Sequence, residues 1–98
     1  MPIPDIVAWL ESFYARHCDG DWEHQSGLAI GTIDNPGWSV KVDLEGTDLA
    51  TKPFNRISAE RSAEDWIECW REGTSWEGRG GTHNLHELLE TFRQWADG

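Results

Sequence analysis

Residues Trp38 to Leu44 alternate without a break. Trp38, Val40, Val42 and Leu44 are apolar, and Ser39, Lys41 and Asp43 are polar. A period of two sends one set to each face of an extended chain, so this stretch predicts a half-buried β-strand. Just before it, Asp34-Asn35-Pro36-Gly37 has the chemistry of a tight turn. Pro36 fits the second turn position and Gly37 the third, where a positive φ is required. Gly27 to Asp34, with Leu28 and Ile30 on one side, predicts the preceding strand. Together they predict an antiparallel hairpin whose apolar face the rest of the chain must cover.

Two amphipathic segments can supply that cover. From Pro4 to Cys18, the residues Ile6, Trp9, Leu10, Phe13, Tyr14 and His17 recur at three- and four-residue steps, the stripe of a helix. Glu11, Ser12 and Arg16 lie off the stripe. Pro4 suits a first helical turn, and Gly20 suits a left-handed stop. From Asn84 to Ala96 the stripe is Leu85, Leu88, Leu89, Phe92, Trp95 and Ala96. Asn84 with Glu87 three residues later forms an N-terminal cap signal.

Between hairpin and second helix the pattern is weaker. Glu45 to Pro53 reads as a polar connection, and Phe54 to Ser58 as a short strand. Trp66 to Glu72 fits a strand with Trp66, Glu68 and Trp70 on one face and Ile67, Cys69 and Arg71 on the other. It also fits a helix entered near Ser62, where Ser62 to Asp65 resembles a capping box offset by one residue. The short apolar run and the following Gly73 favour the strand. Gly78-Arg79-Gly80-Gly81 reads as a flexible loop. The expected fold class is α+β: a small antiparallel sheet of three to four strands with an N-terminal and a C-terminal helix packed on one face. The other face is expected to be partly open and polar. A length of 98 residues suits one domain spanning 1–98.

Apolar content is 38%, so the core must rest on a few large side chains, among seven Trp and three Phe. Seven Trp exceed what one small core easily encloses. At least two are expected at the surface, where Trp is over-represented in binding hot spots. Eighteen acidic residues against eight basic give a net charge of -10. That balance disfavours nucleic acid and anionic membranes and favours a basic protein partner, whose capture it would accelerate. The two cysteines, Cys18 and Cys69, form no disulfide framework and no metal-motif spacing. With no signal-peptide pattern and no apolar run of the roughly 20 residues that span a bilayer, the expected compartment is the cytoplasm.

The densest chemistry lies in Cys18-Asp19-Gly20-Asp21-Trp22-Glu23-His24. Such a run suits a junction rather than the interior of a helix or strand. Asp19, Asp21 and Glu23 are spaced like the start of a calcium loop. The sixth and twelfth positions, His24 and Ile30, break that pattern. A looser set of His17, Cys18, Asp21 and His24 and the pair His83 and His86 lack zinc spacing, so no metal or other cofactor is expected. Cys18 is the candidate nucleophile of a small enzyme or sulfur carrier, with His17 or His24 as base. A reactive thiolate wants positive surroundings, whereas Cys18 ends a helix just before three carboxylates. It reads better as a small packed residue, and Cys69 as core. Asp21 or Glu23 beside His24 is the best acid–base pair, but a chain this small offers little room for a substrate pocket. The glycine loop before the last helix lacks the Lys-Ser/Thr of a phosphate-binding loop. Trp22, Trp38 and Trp76 could form a platform for carbohydrate or another small ligand. Asp21 and Glu23 could instead fix the helix-to-strand turn, with Trp22 packed under the first helix.

The run from Cys18 to His24, the segment Leu28 to Leu44 with its Asp34-Asn35-Pro36-Gly37-Trp38, and the stretches Asn84-Leu85 and Phe92-Arg93-Gln94-Trp95 together resemble immunity protein 53, a bacterial family of polymorphic toxin systems. The resemblance covers nearly the whole chain. It implies a small protein that binds and neutralises a cognate toxin domain, and the lack of a credible catalytic set makes a non-enzymatic mode the expectation. On this reading the expected contact residues are Asp19, Asp21, Trp22, Glu23 and His24, with Trp38 alongside. The carboxylates would pair with basic toxin side chains and Trp22 would serve as the desolvated anchor.

Overall fold

The computed structural model describes residues 5–98. Helix α1 spans Ile6–His17, and the Asp5 carboxylate caps it by accepting a hydrogen bond from the Val7 amide at 3.0 Å. The helix signal at Pro4 lies outside the described residues. A one-turn helix α2 follows at Trp22–Gln25, too short for any period to announce. The strands are β1 Leu28–Ile33, β2 Gly37–Asp43, β3 Ile57–Glu60, β4 Trp66–Glu72 and β5 Ser75–Gly80, and helix α3 Leu85–Asp97 ends the chain. The class is α+β as expected, but the antiparallel sheet has five strands rather than three to four, in the order β1-β2-β5-β4-β3.

The additional strand is the one that reads as a glycine loop. Gly78 and Gly80 lie within β5, where α3 crosses the sheet. A Cβ on Gly78 would stand 3.0 Å from the Trp76 ring and 3.1 Å from Leu88, and one on Gly80 would stand 3.0 Å from Asn84. These glycines admit a close helix rather than a bend. Gly37 has a related correction. Its φ is not positive, and it is the first residue of β2, paired with Ile33 across a three-residue turn at 34–36. A Cβ there would run into the main chain of Gly80 on β5, so the close approach of two strands demands the glycine. β3 starts at Ile57 rather than Phe54 because Phe54 turns into the core, edge-on to Trp76 at 5.8 Å and Trp95 at 5.4 Å.

Strand register sorts the side chains. Val40 and Val42 of β2, Ile67 and Cys69 of β4 and Trp76 of β5 share the face that α3 covers, and all are buried. Phe92 of α3 meets Phe13 of α1 at 5.3 Å and Trp76 at 5.1 Å, which joins both helices to the sheet. The opposite face carries Trp66, Glu68 and Trp70 of β4, Glu77 and Arg79 of β5 and Lys41 of β2. Arg56 and Arg79 lie 5.4 Å and 5.8 Å from the Trp70 ring, within cation–π range.

The Trp residues expected at the surface reach it only in part, and none is fully exposed. Trp22 and Trp76 are buried and the other five are half-buried. Several indole N–H groups are held by the chain's own acceptors: Trp9 by Asp97 at 3.1 Å, Trp38 by the Thr82 carbonyl at 3.0 Å and Trp95 by the Pro53 carbonyl at 2.8 Å. The ring body can then pack while the polar tip finds an acceptor at the edge.

Two polar side chains tie distant segments together. The connection after β2 contributes Leu44 and Leu49 to the core, and Arg71 of β4 clamps its carbonyls. Arg71 Nη1 donates to Leu49 O at 3.1 Å and to Lys52 O, Nη2 donates to Ala50 O, and Nε donates to Gly73 O at 3.2 Å. Asn84 stands at the N-cap of α3 without the expected side-chain cap bond. Its Nδ2 instead donates to Asp65 at 2.9 Å and Glu87 at 3.1 Å, and its Oδ1 accepts from the Trp66 amide at 3.4 Å, which pins the helix start to β4. No helix among the described residues is long and apolar enough to cross a membrane.

Candidate functional site

The corner between α1 and β1 is built by its own carboxylates. The chain leaves helical geometry at Cys18, whose ψ is 111°, and Gly20 at φ +96° then turns it toward α2. Asp19 Oδ1 accepts from the amides of Asp21 at 2.9 Å and Trp22 at 3.0 Å. Glu23 reaches back, accepting from the Asp19 amide at 2.9 Å and the Gly20 amide at 2.8 Å. The exchange resembles a capping box set one turn ahead of α2: each carboxylate satisfies amides at the other's end of the turn, the Trp22 amide of α2 among them. These bonds hold both carboxyls below the usual carboxylate range: the Trp22 and Asp21 amides act on Asp19, and the main-chain amides around Glu23, beginning with its own, act on Glu23.

The sign of the pH effect follows. A carboxyl whose folded pKa is depressed contributes stability above its unfolded pKa and loses it as pH falls through the folded value. The stability difference between wild type and Asp19→Asn in urea melts is therefore expected to shrink as pH falls below about 4. A difference that stays flat across that range would remove Asp19 from the role assigned to it.

Trp22 is 4% exposed. Its ring packs on Tyr14 at 5.7 Å and His17 at 5.8 Å, and its Cδ1 edge faces Gly46, where a Cβ would stand 3.2 Å away. Trp22 thus belongs to the chain's own packing under α1 and offers a partner almost no surface. Trp38 does not lie alongside: it is near the far end of β2 from Asp43, about 17 Å away at the usual strand rise. With Trp22 and Trp76 buried and Trp38 at the opposite end, the three cannot form a ligand platform.

What the corner does present is acidic. Asp19, Asp21 and Glu45 line an open groove of about 360 Å³ with Trp22, Gln25, Ser26 and Gly46, and no Lys or Arg lines it. Asp21 is exposed, and its carboxylate meets no donor among the described residues. His24 is exposed one turn further on. Glu45 and Gly46 escape a sequence reading because they arrive from the far end of the hairpin. The only local signal was the glycine itself, whose φ is +86°.

Cys18 Sγ donates to the Tyr14 carbonyl at 3.2 Å. His17 is engaged at both ring nitrogens, by the Phe13 carbonyl at 2.8 Å and by Asp48 at 3.1 Å, so it does not stand as a base for Cys18. Cys69 is buried in the sheet, and desolvation pushes its thiol up to about 12. Among the described residues no three His, Cys, Asp or Glu side chains converge as a metal site requires.

No curated protein and no solved structure matches the chain. A family model does, over residues 7–97, and its description is immunity protein 53.

Proposed function

The chain belongs to the immunity protein 53 family, and we propose that it neutralises a cognate bacterial toxin domain by binding it non-covalently. The family assignment carries this reading, and the acidic groove supports it. Asp21 and Glu45 present carboxylates to solvent on a frame held by Asp19, Glu23 and Trp22. Complementary charge raises the rate of encounter and fixes orientation more than it adds raw affinity. A toxin domain with a basic surface around its active cleft is the partner such a groove suits. The contact residues in this reading are Asp21, His24 and Glu45. Asp19, Trp22 and Glu23 act by holding the surface in shape.

Co-expression with the toxin domain encoded beside it tests the reading. Restored growth and a complex that survives purification are the expected result. Toxicity undiminished and no complex would reject it. Within a formed complex, Asp21→Lys with Glu45→Lys is expected to slow association by about tenfold or more and to flatten its salt dependence. The melting temperature should stay near wild type, because both residues are exposed and make no core contact. Unchanged association kinetics in that double variant would move the interface elsewhere on the molecule.

A further inference from the structure

The two edges of the sheet are not alike. β3, Ile57–Glu60, is short, carries Glu60, and is flanked by Arg56 and Arg61, which pair with Glu68 and with Asp65 and Glu87. Short charged edges of this kind resist pairing with other chains. β1, Leu28–Ile33, has none of these guards. It reads Leu-Ala-Ile-Gly-Thr-Ile, pairs with β2 without a bulge and contains neither charge nor proline. No Asp, Glu, Lys or Arg occurs between Glu23 and Asp34.

The free backbone groups of this edge can be assigned. The Asp43 amide donates to the Gly27 carbonyl, so Gly27 and Asp43 form a hydrogen-bonded pair. Alternation then turns Ala29, Gly31 and Ile33 toward β2 and leaves the N–H and C=O groups of Leu28, Ile30 and Thr32 at the open edge. Beside that edge, α1 exposes Val7 at 57% and Tyr14 at 41%, and Ile30 itself is 40% exposed. Val7, Leu10, Tyr14 and Leu28 line an apolar groove of about 220 Å³ with Glu11 on its rim.

We propose that this edge pairs antiparallel with β1 of a second copy, forming a symmetric dimer with one continuous sheet. The occupant follows from the self-complementarity of the strand, and the charge pattern permits it. Two chains of net charge -10 repel over most of their surfaces, and like charges set opposite each other are costly. The interval around β1 lets two copies meet with their strands free of that penalty. A dyad through Ile30 sets Ile30 against Ile30 of the second copy and Leu28 against Thr32, apolar and β-branched pairs that stabilise a ladder. The dyad satisfies the outward groups of Leu28, Ile30 and Thr32 together and brings the exposed α1 residues of both copies toward each other. An isologous contact of this kind closes on itself and does not propagate into fibres. The dimer does not depend on toxin binding.

Sedimentation equilibrium of the full chain, without toxin, tests the proposal. The expected result is a concentration-dependent monomer–dimer equilibrium. Ile30→Pro removes an N–H that points away from β2, so it should leave the internal ladder intact and weaken association at least tenfold. Ile30→Lys should do the same by placing a cation at the dyad, and it serves where the proline variant does not fold. Amide exchange at Leu28, Ile30 and Thr32 should slow as protein concentration rises. A chain that stays monomeric up to submillimolar concentration overturns the proposal, as does a dimer that both variants leave unchanged. Protection of these amides only on addition of toxin also overturns it, in favour of a toxin strand on the same edge.

Discussion

Trp22→Ala is expected to destabilise the protein by about 3 kcal/mol or more, the usual loss for truncating a buried Trp. For a chain of this length each kcal/mol lowers the melting temperature by roughly 4–8 °C, so thermal melts should show a large shift. The loss has identifiable parts. The ring fills the space between Tyr14, His17 and Gly46, and removing it leaves a void beneath the end of α1. The same substitution also separates two roles for the residue. Measured at equal folded fraction, toxin affinity should fall far less than stability, because the ring offers almost no surface to a partner and acts only through the frame it supports. A variant that keeps its melting temperature and loses affinity would show instead that Trp22 is itself an interface anchor.

Arg71→Ala is the second large effect, again about 3 kcal/mol. Arg71 donates to the carbonyls of Leu49, Ala50 and Lys52, and with Gly73 these are contacts from one planar fork. Hydrogen bonds from a charged donor contribute about 1.5–3 kcal/mol, and acceptors stranded away from water add to the cost. The clamp also holds Leu49 in the core, so its loss should loosen packing around Phe54 as well. Arg71→Lys is expected to recover little, since a point charge on a flexible stem cannot span several carbonyls at once. Urea denaturation of the two variants checks both statements. A lysine variant as stable as wild type would mean that charge alone suffices at this position.

The elements legible in the sequence are those whose periodicity is carried by large side chains. Trp38 to Leu44 alternates in bulk, and the stripes of α1 and α3 repeat in bulk, so each is readable from its own residues; Trp66 to Glu72 fits helix or strand by pattern, and its shortness and the following Gly73 point to the strand it forms. β5 also alternates, with Trp76, Gly78 and Gly80 on one face and Ser75, Glu77 and Arg79 on the other. Two of its three inward positions are glycines because α3 lies against them, and hydrophobicity does not register a missing side chain. The turn at Gly37 misleads for the same reason. A glycine can serve backbone conformation or close approach, and only the neighbouring strand decides which.

The acidic corner was legible as a place and only partly as a mechanism. Density of polar groups marked Cys18 to His24 as a junction, and Asp19 and Glu23 prove to be its internal bonds. A lone Trp has no period, so nothing local distinguished a buried Trp22 from an exposed one. Glu45 and Gly46 join the corner through a return of the chain, and Trp38 leaves it because a strand is straight. Contacts that depend on where two distant segments meet are invisible until the sheet order is known.

That order has a temporal side. β5 is the last strand along the chain and the middle strand of the sheet. The ribbons β1–β2 and β3–β4 share no hydrogen bonds until it slides between them. A nascent chain that has reached Glu72 holds two separate ribbons, and such ribbons are marginal in water. Assembly must wait for a late closure between segments far apart in sequence, a step that is intrinsically slow. The protein therefore acquires its whole sheet only once β5 has been made, rather than piece by piece.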